Sequence, residues 1–173
     1  MAQYLIKSTD KRTFTLLAGA AVRGELKYTK WFSFKAVLAL AEGPTFRIEP
    51  RGRWGTTIEV KNGESVVLSF RMHWEGSIVL KSRLGGENRA FVLKSQGVAK
   101  TRYVLLDKDK RELLVIEPDY QWNKTNHDYT VSSTELFEAL ADKDALVLTA
   151  IHCANYYMTM MSSLMTTVIA TTI

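Results

Sequence analysis

Ala145-Leu146-Val147-Leu148-Thr149-Ala150-Ile151-His152-Cys153-Ala154-Asn155-Tyr156-Tyr157-Met158-Thr159-Met160-Met161 decides how this chain folds. The run contains no Gly, no Pro and no charged residue. It is apolar nearly all round, so it reads as a helix with no solvent-facing stripe. Such a helix belongs in the centre of a protein or the centre of a bilayer. Residues 145–173 would extend about 43 Å as a helix, enough to span a membrane by length. Composition argues against that. Thr149, His152, Asn155 and Thr159 carry polar groups, and His152 and Asn155 near the middle raise the cost of insertion. No Lys or Arg follows to anchor an end. A tail anchor is therefore the second choice. The first is a helix threaded through a closed sheet.

The preceding residues supply that sheet. Phe32, Phe34, Ala36, Leu38 and Leu40 alternate with Trp31, Ser33, Lys35, Val37 and Ala39, the period of two expected of a strand. Val66, Leu68, Phe70, Met72 and Trp74 alternate in the same way, one face directed to a core. Thr56, Ile58 and Val60 run into Asn62-Gly63, a pair that supplies the positive φ angles of a tight hairpin. Ala90–Lys94, Arg102–Leu106 and Glu112–Glu117 are further strands, the last two joined by the polar loop Asp107-Lys108-Asp109-Lys110. Gly76 and Gly85-Gly86 mark other reversals. Around ten short strands at hairpin spacing predict a mainly β sandwich or barrel. Barrels much wider than eight strands need something inside them. Ser132-Ser133-Thr134-Glu135 then offers an N-cap for a short helix at about 133–141, with Leu136, Phe137 and Leu140 on one side. The central helix is expected at about 144–162, with an apolar tail to 173. Asp142 and Asp144 put negative charge at its start, where the helix dipole favours it.

The chain has 173 residues, of which 46% are hydrophobic and 24% charged. That is the make-up of one globular domain with a real core. The single cysteine, Cys153, excludes an internal disulfide. The first residues show no basic-then-apolar leader, so a cytoplasmic setting is expected. Asn123-Lys124-Thr125 matches a glycosylation acceptor, which has no use there.

Charge is unevenly distributed. Residues 1–80 are net +5, residues 81–111 net +6, residues 112–144 net −6, and residues 145–173 uncharged. The basic middle would suit an anionic membrane surface, an acidic protein or a phosphate-bearing ligand. Lysines spread over a solvated sheet face are the plainer explanation. Lys81, Arg83, Arg89, Lys94, Lys100 and Arg102 are the candidate residues. Lys81, Lys94 and Arg102 lie near strand ends in neighbouring hairpins, from which they would converge on phosphate oxygens. No run of five like charges exists, which argues against nucleic acid. The turn Arg51-Gly52-Arg53-Trp54-Gly55 reads as a tight rim loop. The polar aromatic stretch Glu117–Lys124 reads as a binding loop or a cover over a barrel end.

Enzymatic signatures are missing. There is no phosphate-binding glycine loop, dinucleotide fingerprint, nucleophile elbow or zinc-binding His-Glu-x-x-His. His73, His127 and His152 match no metal spacing. Neighbouring helix residues point about 100° apart, so His152 and Cys153 do not form a thiol–imidazole pair. A non-enzymatic module without cofactor or metal is expected. A structural or protein-interaction domain is the alternative.

Many short strands followed by an apolar C-terminal helix resemble the tubby C-terminal-like fold, the group of tubby domains, phospholipid scramblases and LURP-one-related proteins. The stretch Asp144–Tyr157 resembles the scramblase and LURP-one helix. Arg102–Asp107 with Glu112–Ile116 resembles their strand, acidic turn, strand rhythm. The resemblance covers nearly the whole chain and rests on no invariant motif. It implies a closed antiparallel barrel of about twelve strands around a buried central helix. It also implies a binding role for anionic phospholipid or a phosphoinositide-like ligand through Lys and Arg. The chain departs from scramblases in having no cysteine cluster and no calcium-type acidic loop. Asp107-Lys108-Asp109-Lys110 alternates acid with base and would repel a cation.

Overall fold

The computed structural model describes residues 1–30, 33–52, 55–97, 100–120 and 126–170, with side chains described as far as Ser163. Twelve strands follow one another: β1 (Ala2–Ser8), β2 (Thr13–Ala18), β3 (Ala21–Lys30), β4 (Lys35–Leu40), β5 (Thr45–Pro50), β6 (Thr57–Asn62), β7 (Ser65–Met72), β8 (Ile78–Ser82), β9 (Arg89–Gln96), β10 (Arg102–Asp107), β11 (Glu112–Asp119) and β12 (Asp128–Ser133). Two helices end the chain, α1 (Glu135–Glu138) and α2 (Lys143–Ala170). Each strand pairs antiparallel with its neighbour in sequence, and β1 pairs with β12 to close the barrel. Closure leaves no unpaired sheet edge.

The alternation seen in sequence becomes a lining. Every strand sends two residues, two positions apart, into the interior: Tyr4 and Ile6, Phe14 and Leu16, Leu26 and Tyr28, Ala36 and Leu38, Phe46 and Ile48, Ile58 and Val60, Leu68 and Phe70, Ile78 and Leu80, Phe91 and Leu93, Tyr103 and Leu105, Leu114 and Ile116, Tyr129 and Val131. All are buried. The helix α2 fills the space they surround. Each residue from Ala145 to Tyr156 is buried, on every side of the helix.

Ion pairs fix the point where α2 enters. Arg23 reaches Asp144 at 2.9 Å, Arg89 reaches Asp142 at 3.3 Å, and Lys143 reaches Glu138 at 2.7 Å. Glu138 also accepts hydrogen bonds from Tyr4 Oη at 2.7 Å and from Ser133 Oγ. One carboxylate thus ties β1, β12 and the start of α2 together. Because strands alternate in direction, the β2–β3, β4–β5, β6–β7, β8–β9 and β10–β11 connections share this entry end. The other six connections surround the exit.

Several expectations are corrected. α2 does not stop near 162 but continues to Ala170, since nothing between them breaks a helix. Residues 171–173 lie outside the described residues. The strand through Val66 ends at Met72, because the loop before Gly76 (φ +88) turns the chain back. Trp74 is therefore not on a core face but 97% exposed. Strand β4 begins at Lys35, because Phe34 takes a left-handed φ of 54° and breaks the alternation. Trp31 and Phe32 lie outside the described residues, as do Arg53, Trp54 and the stretch 121–125. The short helix is one turn, capped by Thr134, so only Phe137 is fully buried while Leu136 is 49% exposed. The hairpins at Asn62-Gly63 and at 107–110 are present as expected.

The helix lies closest to β3. A Cβ at Gly24 would stand 2.8 Å from the Ala39 carbonyl oxygen and 3.0 Å from Leu148 Cδ1. Gly24→Ala must push either backbone or helix aside. It is expected to lower stability by about 1–3 kcal/mol in a urea melt.

Within the barrel, Tyr129 Oη donates to Asn155 Oδ1 at 2.5 Å, and Asn155 Nδ2 donates to Tyr28 Oη at 3.1 Å. His152 stacks on Tyr28, ring centroids 5.2 Å apart, yet neither of its nitrogens has a hydrogen-bond partner among the described residues. Desolvation pushes its pKa down to about 3. Between about pH 6.5 and 3 the unfolded chain therefore binds a proton that the folded chain refuses, and stability falls as pH falls. His152→Leu is expected to flatten that acid limb of the stability–pH curve. It is also expected to raise stability by about 1–3 kcal/mol, since an unpaired buried polar group is removed.

Candidate functional site

The helix occupies the interior, so ligand chemistry falls to the outer wall and the two ends. On the outer wall a groove of about 1010 Å³ runs toward the entry end. Strand register builds its centre. Ser69, Lys81 and Ala90 lie side by side on β7, β8 and β9, all facing outward. Arg83 follows β8, where its amide N–H donates to the Val67 carbonyl at 2.7 Å. Gly85 and Gly86, both at positive φ, turn the chain back into β9. The β10–β11 hairpin adds Lys108 and Arg111, with Lys110 at φ 63° closing the turn. Apolar side chains, among them Val66, Val67, Leu113, Leu136 and Leu140, share the rest of the lining with Asn88 and the carboxylates Glu59, Glu87 and Asp107.

The cations of the groove divide into two kinds. Three are committed to carboxylates. Arg89 pairs with Glu87 at 2.7 Å and with Asp142, Arg111 with Asp107 at 2.7 Å, and Arg51 with Glu59 at 3.6 Å. Burial would raise the pKa of Asp107, but hydrogen bonds from the Arg111 and Asp109 amides and from the Arg111 guanidinium hold it below the usual range. The other three, Lys81, Arg83 and Lys108, are exposed, and their side chains have no ion pair or hydrogen bond among the described residues. No histidine or cysteine lines the groove among the described residues. Its buried Ser82 hydroxyl accepts from the Leu84 amide at 3.1 Å. The arrangement can neutralise an anion and cover an apolar group.

The six basic residues singled out from sequence are not brought together. Lys81 and Arg83 line the groove. Lys94 lies four positions further along β9 than Ala90, the partner of Lys81. Four strand residues span roughly 13 Å, at about 3.3 Å per residue. Lys94, Lys100 and Arg102 belong instead to the exit side of β9 and β10. There Arg102 donates to Gln96 Oε1 at 3.2 Å, and Lys100 lies 3.8 Å from Glu117. Arg89 is a structural residue that holds Asp142. Lys108 reads in sequence only as part of a polar turn. Its signal is the parity of a meander: alternate connections share an end, so 83–88 and 107–111 are neighbours. Among the described residues no group of three or more His, Cys, Asp or Glu could hold a metal ion. Cys153 is buried, and desolvation pushes its thiol pKa up.

Arg89→Ala should separate structure from binding. It leaves Asp142 unpaired at the helix entry, with an expected loss of about 1–3 kcal/mol in thermal or urea unfolding. Lys81→Ala, which breaks no pair, should change stability by less than about 0.5 kcal/mol in the same melts.

Comparison with known proteins finds no match: no protein-family model, no curated protein and no solved structure. Among the described residues no helix is long and apolar enough to cross a membrane.

Proposed function

We propose that this protein is a non-enzymatic binding module that takes a phosphate-bearing ligand in the outer groove. The observation that carries the reading is the set of three unpartnered cations, Lys81, Arg83 and Lys108, lining one concave surface. Arg83 can offer two parallel N–H donors to phosphate oxygens, and the two ammonium groups add point charge. The apolar lining beside them suits a ligand with a hydrocarbon portion, which favours an anionic phospholipid headgroup over a bare phosphate. The resemblance to the tubby C-terminal-like fold supports the same reading, since a barrel closed around a helix is the layout it implies. A lone buried cysteine supports a cytoplasmic setting.

The test compares two soluble probes by titration calorimetry: inositol 1,4,5-trisphosphate, and the short-chain lipid that carries the same headgroup. Both are expected to bind the wild type, the lipid more tightly, with affinity falling as salt rises. Combined charge reversal, K81E/R83E/K108E, is expected to lower affinity at least a hundredfold while the melting temperature stays within a few degrees. Failure of the wild type to bind either probe, or undiminished binding by the folded triple variant, contradicts the proposal.

A further inference from the structure

The exit end of the barrel differs from the entry end. At the entry, acidic residues and arginines pin the helix. At the exit, α2 leaves without an ion pair among the described residues and continues to Ala170. Burial ends at Tyr156. Tyr157, Met158 and Thr159 are half-buried, and Met160 is exposed. From Tyr157 to Ala170 the helix extends roughly 20 Å at about 1.5 Å per residue. This part of the helix carries no charged residue.

Its hydroxyl groups bond within the helix. Thr159 Oγ1 donates to the Asn155 carbonyl at 2.9 Å, Ser162 Oγ to the Met158 carbonyl at 2.8 Å, and Ser163 Oγ to the Thr159 carbonyl at 2.9 Å. Each hydroxyl is thereby satisfied inside the helix, an arrangement that tolerates a dry environment. At about 100° per residue these three positions share one side, while Met158, Met160 and Met161 fall on the other. The sequence repeats the spacing at Thr166 and Thr167.

The rim beside the helix carries exposed aromatic and basic residues, with the acidic Asp10, Glu75 and Asp119 interspersed. Gly76 packs against it so closely that an added Cβ would meet Met161 Cε at 3.3 Å and Tyr157 Cε2 at 3.4 Å. Two residues before Gly76 in the same loop, Trp74 stands almost wholly in solvent. Tyr120, which follows β11 at this end, is 49% exposed. Arg12, Lys30, Lys35 and Arg71 lie at this end, exposed and without an ion pair among the described residues. Tryptophan and tyrosine favour the boundary between headgroups and hydrocarbon, and basic residues around it are drawn to anionic lipid.

We infer that the exit end docks on an anionic bilayer, with the emerging part of α2 lying in the interfacial layer beside Trp74. The helix does not span. The half from Ala145 to Tyr156 is held inside the barrel, and the described part that emerges, Tyr157 to Ala170, lies along the interface. Docked in this way, the protein keeps its entry end open to solution. The inference stands independently of the groove's ligand.

Flotation of the purified full chain with vesicles tests it. One set of vesicles is phosphatidylcholine alone, and the other mixes phosphatidylcholine and phosphatidylserine two to one. The wild type is expected to float with the second set and much less with the first. Trp74→Ser combined with Met160→Asp removes one exposed aromatic and puts a charge on the apolar side, both at exposed positions that should not disturb folding. This variant is expected to lose at least tenfold in partitioning while keeping its far-ultraviolet dichroism and melting temperature. Saturating inositol 1,4,5-trisphosphate is expected to leave the flotation of the wild type unchanged, so that loss of groove binding and loss of docking are read separately. The inference is overturned if the wild type stays in solution or if the folded W74S/M160D variant floats unchanged. It is also overturned if the wild type forms a stable dimer that M160D dissociates, since a second copy would then be what covers the helix.

Discussion

A helix that is apolar on every side needs apolar contact on every side, and that requirement governs this molecule. A flat sheet covers one face of a helix. A closed barrel covers all of them and also pairs every strand edge. Twelve strands, each giving two inward residues, make a lining that is complete around α2 from Ala145 to Tyr156. The fit is tightest at β3, where Gly24 has no room for a side chain against Leu148. Interiors packed to crystal density tolerate little change in volume, so helix and wall specify each other.

The same requirement decides where function can reside. His152 and Cys153, whose pairing helix geometry already excludes, face the lining together with Asn155. Burial lowers the pKa of the imidazole, raises that of the thiol, and commits Asn155 to Tyr28 and Tyr129. The entry end is occupied by the pairs Arg23–Asp144, Arg89–Asp142 and Lys143–Glu138. The groove and the exit end keep cations that have no structural duty. They lie apart on the molecule, which allows a ligand site and a docking face to operate together.

Period-two alternation and the uncharged terminal run made the barrel and its central helix legible, because both patterns follow from which faces are buried. The ends of elements were less legible. Val66 to Trp74 reads as one uninterrupted strand, yet the turn at Gly76 ejects Trp74 into solvent, and alternation alone does not say where a hairpin closes. The site was legible only in part. Net charge along residues 81–111 located a basic region but not its geometry. Lys81 and Lys94 are 13 positions apart in sequence and are separated by the hairpin register. Lys108 joins Lys81 through strand order, a property of the whole sheet. The partner of each arginine was equally out of reach, since Arg89 meets Asp142 only once the helix is in place.

Amide hydrogen exchange along α2 tests the enclosure of the helix most directly. The account predicts that amides from Val147 to Tyr156 exchange only by global unfolding, at the same free energy as the central amides of β3 and β10. Those beyond Met160 should open at much lower cost in the absence of lipid. Exchange of residues 147–156 at rates well above those of the strands, under conditions where the barrel stays folded, would contradict it. The helix would then be a separable element and not the core around which the barrel closes.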